Sequence, residues 1–222
     1  MKRKTPIKVL VTSGPTRAYV DKIRYFSNTS SGALGSNIVE SLIARNIPVV
    51  HIYGAGSETP NVSNTPKSEL LESIEIVTVD DLIAAVKRYA VPGEITAVAH
   101  LMAVLDYAPE SKILEKKKSG DDVWEVRLVK TPKVIGILRY LLPDAFFAGF
   151  KLESGITEEL LVERAGALME KYLLDIVVAN DLDNVYEDRH EAVFVGKENT
   201  VLTRKTSKKD IAETLAGYIS EL

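Results

Sequence analysis

The sequence contains no cysteine among its 222 residues. This absence excludes disulfides, thiolate metal sites and a thiol nucleophile. The three histidines, His51, His100 and His190, lie far apart and lack the spacing of metal ligands. We therefore expect them to be ordinary packing or surface residues rather than a metal centre.

The chain also lacks a strong charge bias and a long apolar run. Its formal net charge is −3, with 45% hydrophobic and 27% charged residues, which is ordinary for a globular protein. This balance argues against a nucleic-acid or membrane-surface partner, and the N-terminal apolar run is too short for a signal peptide or a membrane span. We expect a cytoplasmic protein that folds as one domain over residues 1–222 and binds any anion through a local cluster.

Short apolar runs alternate with amphipathic stretches along most of the chain. Strands are predicted at residues 7–12, 49–53, 75–79, 95–104, 123–129, 145–152 and 175–179, and helices at 34–44, 80–90, 131–142 and 157–172, with a last helix after Ser207. This order predicts an α/β fold, a doubly wound, mainly parallel Rossmann-like sheet with helices on both faces and a β-hairpin at residues 192–202. Residues 106–122 break the periodicity and predict a mobile loop.

The segment "YFSNTSSGALG", residues 25–35, combines hydroxyl and amide side chains with two spaced glycines. Ser30, Ser31 and Gly32 immediately precede the first predicted helix, whose N-terminus offers free backbone N–H groups and a partial positive charge. Gly32 and Gly35 would let a ligand and the backbone approach closely. The segment therefore predicts a phosphate-binding turn. The alternative is that the serines only cap the helix and Gly35 only permits close packing.

Neighbouring residues favour the phosphate interpretation. The segment "TSGPTR", which includes Gly14, stands at the end of the first strand, where ligands of such sheets bind. Arg24 adds positive charge, and the Asn28 amide can hold a developing oxyanion. The GxGxxG fingerprint is absent, and no acidic residue follows the second strand to bind a ribose. NAD(P)-dependent chemistry is therefore disfavoured.

Later strand ends carry further polar residues. "MAVLDYAPESKI" supplies Asp106, a candidate Mg²⁺ ligand or else a simple turn cap, and Lys112. Lys112 and the lysines at 116–118 can close over phosphates as a lid, although a lysine run is more often a solvated loop. "AGFKLESG" and "VVANDLDN" end two more strands, and both are expected to face the same crevice.

Taken together, these motifs resemble the phosphopantothenate–cysteine ligase family, also called phosphopantothenoylcysteine synthetases. The matching segments are "VTSGPTRAYVDKIRYFSNTSSGALG", "AVLDYAP", "LVKTP", "GFKLESG" and "DIVVAND". They occur in the family's order over residues 7–184. The resemblance is to the free-standing form of the ligase, without the flavin-dependent decarboxylase domain to which it is often fused.

The resemblance implies a reaction in two steps in coenzyme A biosynthesis. The carboxylate of 4′-phosphopantothenate attacks the α-phosphate of a nucleoside triphosphate, and pyrophosphate leaves. The amine of L-cysteine then captures the acyl-nucleotide, which gives 4′-phosphopantothenoylcysteine and a nucleoside monophosphate. Such chemistry needs positioned donors, a lysine and Mg²⁺ rather than a catalytic triad.

The resemblance also implies roles for individual residues. Asn28 and Lys112 correspond to catalytic positions, with the lysines at 116–118 as alternatives to Lys112. Substrate binding falls to Arg24, Asn28 and Asn180, and a metal would bind at Asp106. The nucleotide-binding positions are Gly14, Ser30, Ser31, Gly32, Gly35, Ala103, Asp106, Phe150 and Lys171.

Two departures from the family pattern, Leu105 and Ala108, leave the base specificity open. CTP is expected as co-substrate on the bacterial character of the chain, with ATP as the alternative. The family pattern also implies a homodimer with no nucleic-acid or membrane partner, and the hairpin at residues 192–202 is expected to contribute to the contact. Two other functions stay open, namely a different Rossmann-like nucleotide-dependent enzyme and a non-catalytic nucleotide-binding subunit.

Overall fold

A computed structural model of the chain describes residues 6–62, 66–120, 122–186 and 189–222. Its strands are β1 Val9–Ser13, β2 Arg17–Tyr19, β3 Tyr25–Ser27, β4 Val49–Gly54, β5 Leu71–Ile76, β6 Ala97–His100, β7 Tyr107–Pro109, β8 Leu128–Lys130, β9 Phe146–Glu153, β10 Ile176–Asp181, β11 Ala192–Val195 and β12 Val201–Lys205. Its α-helices are α1 Ala33–Ala44, α2 Val79–Tyr89, α3 Val134–Leu141, α4 Glu158–Tyr172 and α5 Lys208–Ser220.

Eight strands form one sheet in the order β12-β11-β10-β9-β6-β1-β4-β5. The pairs from β10 to β5 are parallel, whereas β11 is antiparallel to both of its neighbours. The strand order reverses at β1, which lies between β4 and β6. The predicted doubly wound, mainly parallel sheet is therefore confirmed, and β1 marks its switch point.

Alternate residues of the buried strands supply two cores. On β1, Val9 and Val11 pack with α1 and α5 on one face, and Leu10 packs with α2, α3 and α4 on the other. All five residues of β1 are buried, as expected of a strand covered on both faces. The helices packed on both faces therefore fix the position of β1, whose last residues lie at the carboxyl edge of the sheet.

The hairpin predicted at residues 192–202 is confirmed as β11 and β12. It extends the main sheet, because β11 pairs with β10. The predicted caps of two helices are also confirmed, since the side chains of Thr157 and Ser207 accept backbone N–H donors from Leu160 and Asp210. Among the described residues, no helix is long and apolar enough to cross a membrane.

Several predicted boundaries were wrong, including that of the strand at residues 123–129, which forms only over Leu128–Lys130. The third strand is Leu71–Ile76 rather than residues 75–79, because β4 pairs with this earlier segment. Within residues 106–122, Tyr107–Pro109 forms a strand that pairs with β8, so the predicted loop begins as a ribbon. Residue 121 lies outside the described residues.

A further error concerns the start of α3. Thr131 is not its N-cap, because the helix begins at Val134 with Lys133 as the cap residue. The Thr131 hydroxyl donates instead to the carbonyl of Leu105. This bond fixes the chain leading into α3 against the segment that follows β6.

Candidate active site

A crevice of about 540 Å³ opens along the carboxyl edge of the sheet. The ends of β1, β6, β9 and β10 form its floor, and the N-termini of α1 and α3 flank it. Nine of the predicted site residues line it: Gly14, Ser30, Ser31, Gly32, Gly35, Ala103, Asp106, Phe150 and Asn180. The crevice thus lies at the switch point, where ligands of open α/β sheets bind.

The predicted phosphate turn has a geometry suited to an anion. Gly32 precedes α1 with a φ of 78°, and no side chain caps the helix from that position. The first turn of α1 contains no acidic residue that would repel a phosphate. The Ser31 hydroxyl oxygen accepts from the backbone N–H of Ala33 at 3.2 Å, so a local capping contact and an open helix N-terminus coexist.

Two glycines make the turn compact. At Gly14, φ is 75° and a Cβ would lie 1.9 Å from the Ser57 hydroxyl oxygen. At Gly32, a Cβ would lie 2.7 Å from the Ser57 Cβ. The Ser57 side chain therefore fills the space behind both glycines, and its hydroxyl donates to the Gly54 carbonyl at 2.6 Å. Neither position can carry a side chain without displacing this support.

Asn28 is tied to the opposite wall of the crevice. Its amide nitrogen donates to the carbonyls of Ala103 and Val104, at 3.3 Å each. The Ala103 N–H in turn donates to the Gly14 carbonyl at 2.8 Å. Asn28 is exposed and stands beside the crevice rather than among its lining residues. Its carboxamide therefore lies next to a wall shared with the end of β1.

Asp106 lies in the crevice and forms an ion pair with Lys133. Both side chains are largely exposed, so the pair is open to solvent and to a ligand. The described residues contain no group of three His, Asp or Glu side chains able to hold a metal by themselves. A single carboxylate in a polar crevice fits a Mg²⁺ ion that takes its other ligands from phosphates and water.

Arg24 and Lys112 lie beside the two-stranded ribbon of β2 and β3, outside the crevice lining. Arg24 Nη1 donates to the buried Asp21 carboxylate at 2.6 Å. Burial raises the pKa of Asp21, but backbone N–H donors, including that of Lys117, and the Arg24 charge outweigh it and lower the pKa overall. Lys112 Nζ lies 4.9 Å from the centre of the Tyr19 ring. The segment that carries Lys112 is thereby anchored against β2 and β3.

Lys171 is not brought to the crevice. It is exposed near the C-terminal end of α4, and its Nζ lies 5.2 Å from the centre of the Tyr172 ring. Because α4 ends where the chain turns back into β10, this position belongs to the amino edge of the sheet. The crevice lies at the opposite, carboxyl edge.

Sequence reasoning missed three lysines of the crevice, Lys133, Lys151 and Lys208. Lys133 pairs with Asp106, and Lys151 pairs with Glu153 at 2.8 Å. Lys208 has no ion-pair partner within the described part of the chain. The signal for Lys151 was present, since it stands in "GFKLESG" at a strand end.

The histidines are more than packing residues. His51 Nε2 lies 2.8 Å from Ser13 Oγ, and His100 Nδ1 lies 2.6 Å from Thr12 Oγ1. Burial lowers the pKa of both imidazoles to about 4. His100 and His190 line the crevice. The position of His100 at the end of the buried run "AVAH" was the signal that could have identified it.

Comparison with known proteins identifies the family of the chain. A model of the DNA/pantothenate metabolism flavoprotein C-terminal domain matches residues 5–222. The chain belongs to this family. A solved structure of the DNA/pantothenate metabolism flavoprotein from Streptococcus pneumoniae superimposes with a TM-score of 0.86 at 31% identity and covers 97% of this chain and 99% of that one.

Curated relatives of this flavoprotein family include two with informative names. The coenzyme A biosynthesis bifunctional protein CoaBC of Thermococcus kodakarensis is 34% identical over 97% of this chain and 51% of its own length. Phosphopantothenate–cysteine ligase 2 of Oryza sativa is 28% identical over 96% of this chain and 79% of its own length. The chain spans about half the length of the CoaBC relatives. The family resemblance predicted from the sequence motifs is confirmed.

Proposed function

We propose that the protein is a phosphopantothenate–cysteine ligase. The observation that carries the proposal is the crevice itself, in which the open α1 N-terminus after Gly32 faces a wall bonded to Asn28. One side suits a nucleotide phosphate, and the other supplies an amide donor for an acyl oxygen. The rice relative, which carries the ligase name, supports the same activity.

In the proposed reaction, a carboxylate oxygen of 4′-phosphopantothenate attacks the α-phosphorus of the nucleotide, and the bond to pyrophosphate breaks. The L-cysteine amine then attacks the acyl carbon, the nucleoside monophosphate leaves, and the amine proton is lost. Ser30, Ser31, Gly32 and Gly35 bind phosphate oxygens, while Asn28 stabilises the acyl oxygen.

The remaining assignments follow from position. Phe150 of β9 and Asn180 of β10 line the same crevice as the phosphate turn. Phe150 packs beside the nucleotide base, and Asn180 contacts 4′-phosphopantothenate. Asp106 would hold Mg²⁺, and the ion would neutralise charge on the triphosphate. Lys112 reaches the phosphates when the segment after β7, residues 110–120, leaves its contacts with β2 and moves over the crevice, and Arg24 contacts 4′-phosphopantothenate. CTP is the proposed nucleotide, with ATP as the alternative.

We also propose a homodimer, as the family pattern implies. Several large apolar side chains of β3, β7 and β8 are exposed: Tyr25, Phe26, Tyr107, Leu128 and Val129. On the hairpin, β11 is already paired on both sides, and only Leu202 of β12 is a large exposed apolar residue. The two-stranded ribbons β2–β3 and β7–β8 are thus favoured over the hairpin as the surface that a second copy covers.

The test is to incubate the purified protein with Mg²⁺, 4′-phosphopantothenate and L-cysteine, with CTP or ATP in parallel. Pyrophosphate release that depends on 4′-phosphopantothenate would support acyl activation, and the CTP-to-ATP ratio would identify the nucleotide. Nucleotide binding without any turnover would instead favour a non-catalytic nucleotide-binding protein.

A further inference from the structure

His100 ends β6 in the centre of the crevice floor, between β1 and β9. Its register partners are Thr12 on β1 and Gly149 on β9. The Thr12 side chain is fully buried, with 0% exposed. Thr12 Oγ1 and His100 Nδ1 lie 2.6 Å apart, so the two strands are joined here by a side-chain hydrogen bond as well as by the backbone.

The direction of this bond can be assigned from hydrogen-bond accounting. Thr12 Oγ1 has no other hydrogen-bond partner within the described residues. If His100 Nδ1 donated, the Thr12 hydroxyl hydrogen would be buried without an acceptor, which costs the desolvation of that group. Thr12 therefore donates to Nδ1, and the neutral ring carries its proton on Nε2.

His100 Nε2 opens into the crevice. It has no hydrogen-bond partner in the described part of the chain, and it does not belong to the buried nitrogens that lack one, which are His51 Nδ1 and His190 Nδ1. Burial of the ring lowers its pKa to about 4, so His100 is uncharged at neutral pH. The crevice floor thus presents one fixed, neutral N–H donor.

The surroundings of this donor favour an anionic acceptor. The N-terminus of α1 flanks the crevice on one face of the sheet, and the N-terminus of α3, with residues 132–135, flanks it on the other. Both helix ends present partial positive charge toward the same space. Phosphoryl oxygens only accept hydrogen bonds and carry negative charge, so a phosphate group suits both the two helix N-termini and the His100 N–H donor.

We propose that His100, oriented by Thr12, donates its Nε2–H to a phosphoryl oxygen of the bound nucleotide. This inference rests on the proposed function, and it adds a ligand-contacting residue and a positioning residue to which the motif resemblance assigns no role. A neutral donor binds the phosphate without a full positive charge, which would hold the departing pyrophosphate more tightly.

The tautomer and the contact can both be observed by NMR of protein labelled with ¹⁵N in its three histidines. Long-range ¹H–¹⁵N spectra should show His100 protonated on Nε2 in the free protein, with the peak assigned by its loss in His100→Gln. Addition of Mg²⁺ with α,β-methylene-CTP, or with α,β-methylene-ATP in parallel, should shift the Nε2 resonance. A ring protonated on Nδ1, or an unchanged resonance at saturation, would overturn the inference.

Binding by variants gives an independent measurement. His100→Leu should lose about tenfold in affinity for the same analogue, since a hydrogen bond to a charged group is removed. His100→Gln, whose side-chain amide can donate from a similar position, should stay within about threefold. Thr12→Val should bind more weakly than wild type and should show both ring tautomers.

The outcomes separate this inference from the proposed function. If the wild type binds the analogue with a shifted His100 resonance but never releases pyrophosphate, the ligase function fails and the His100 contact stands. If the wild type and His100→Leu make product with the same nucleotide KM, the ligase function stands and the His100 contact is wrong. Failure of the wild type to bind either analogue would overturn both.

Discussion

The Ser13 hydroxyl oxygen lies 2.8 Å from His51 Nε2, directly beneath Gly35 of α1. A Cβ at Gly35 would lie 2.2 Å from the Ser13 Cβ and 2.5 Å from its hydroxyl oxygen. Helix α1 can therefore approach β1 this closely only because residue 35 has no side chain. That approach places the helix N-terminus at the switch point, so the proposed phosphate binding depends on the packing of Gly35 against Ser13.

Gly35→Ala should weaken nucleotide binding by at least about tenfold and destabilise the fold by about 1–3 kcal/mol, because α1 must move away from Ser13. Calorimetric binding and urea unfolding would measure the two effects. The matched control is Gly217→Ala in α5, where no atom outside the adjoining residues and backbone of its own helix lies within 4 Å of the new Cβ. It should be neutral or stabilise by up to about 1 kcal/mol. Equal behaviour of the two variants would contradict the packing argument.

The free energy of unfolding should fall between pH 6.5 and pH 4. Burial lowers the pKa of His51 to about 4 from an ordinary value of 6.5, so the unfolded chain binds more protons in this range. The stabilisation is complete above pH 6.5 and is lost as the pH falls, by on the order of 2–3 kcal/mol for this residue. Urea unfolding of the wild type and His51→Gln at several pH values would test it.

His100 should contribute to the same pH range, because burial also lowers its pKa to about 4. His51→Gln should therefore reduce the pH dependence without abolishing it. The pKa values of Asp21 and Asp181 are lowered as well, so their stabilisation is lost only at still lower pH. An unchanged slope between pH 6.5 and pH 4 in His51→Gln would show that His51 is not the group responsible.

Asn28→Asp should keep nucleotide binding but reduce product formation by about 100-fold or more, because an amide donor to the acyl oxygen is replaced by a carboxylate. The acyl-nucleotide should accumulate when cysteine is present. Quenched-flow analysis of the intermediate would measure this. Asn46→Asp, in the turn after α1 at the other edge of the sheet, is the control and should keep wild-type turnover.

Asp106→Asn should raise the Mg²⁺ concentration needed for half-maximal nucleotide binding by about tenfold, since a metal-binding carboxylate is removed. A Mg²⁺ titration with a nucleotide analogue would measure it. Glu110→Gln is the matched control, because Glu110 is also exposed but pairs with Arg127 outside the crevice lining. The same Mg²⁺ dependence in both variants would argue that Asp106 does not serve the metal.

Lys112→Ala should reduce turnover by about 100-fold or more if its charge reaches the triphosphate. Lys171→Ala should stay within about twofold of wild type, because its position belongs to the opposite edge of the sheet. Steady-state kinetics of the two exposed lysines would compare them directly. Wild-type turnover in Lys112→Ala would direct attention to the lysines at 116–118, and a large loss in Lys171→Ala would contradict its placement.

The sequence was most informative where one signal dominated. The alternation of short apolar strands with amphipathic helices predicted a parallel sheet, because consecutive parallel strands need a crossover connection that is usually a helix. The turn at residues 30–32 was placed correctly before the first helix, because serine and glycine directly before an amphipathic stretch are typical of a helix N-terminus. Boundaries failed where tertiary pairing decided them, as for β5, whose pairing with β4 extends it toward Leu71.

What the sequence determined by itself was the fold class and the family, since these depend on local patterns and on motif order. Only the tertiary structure decided which distant side chains meet. It paired His100 with Thr12 and Asp106 with Lys133, and it placed Lys171 at the other edge of the sheet. Such contacts depend on strand order and register, which join residues far apart in the chain and leave no local pattern to read.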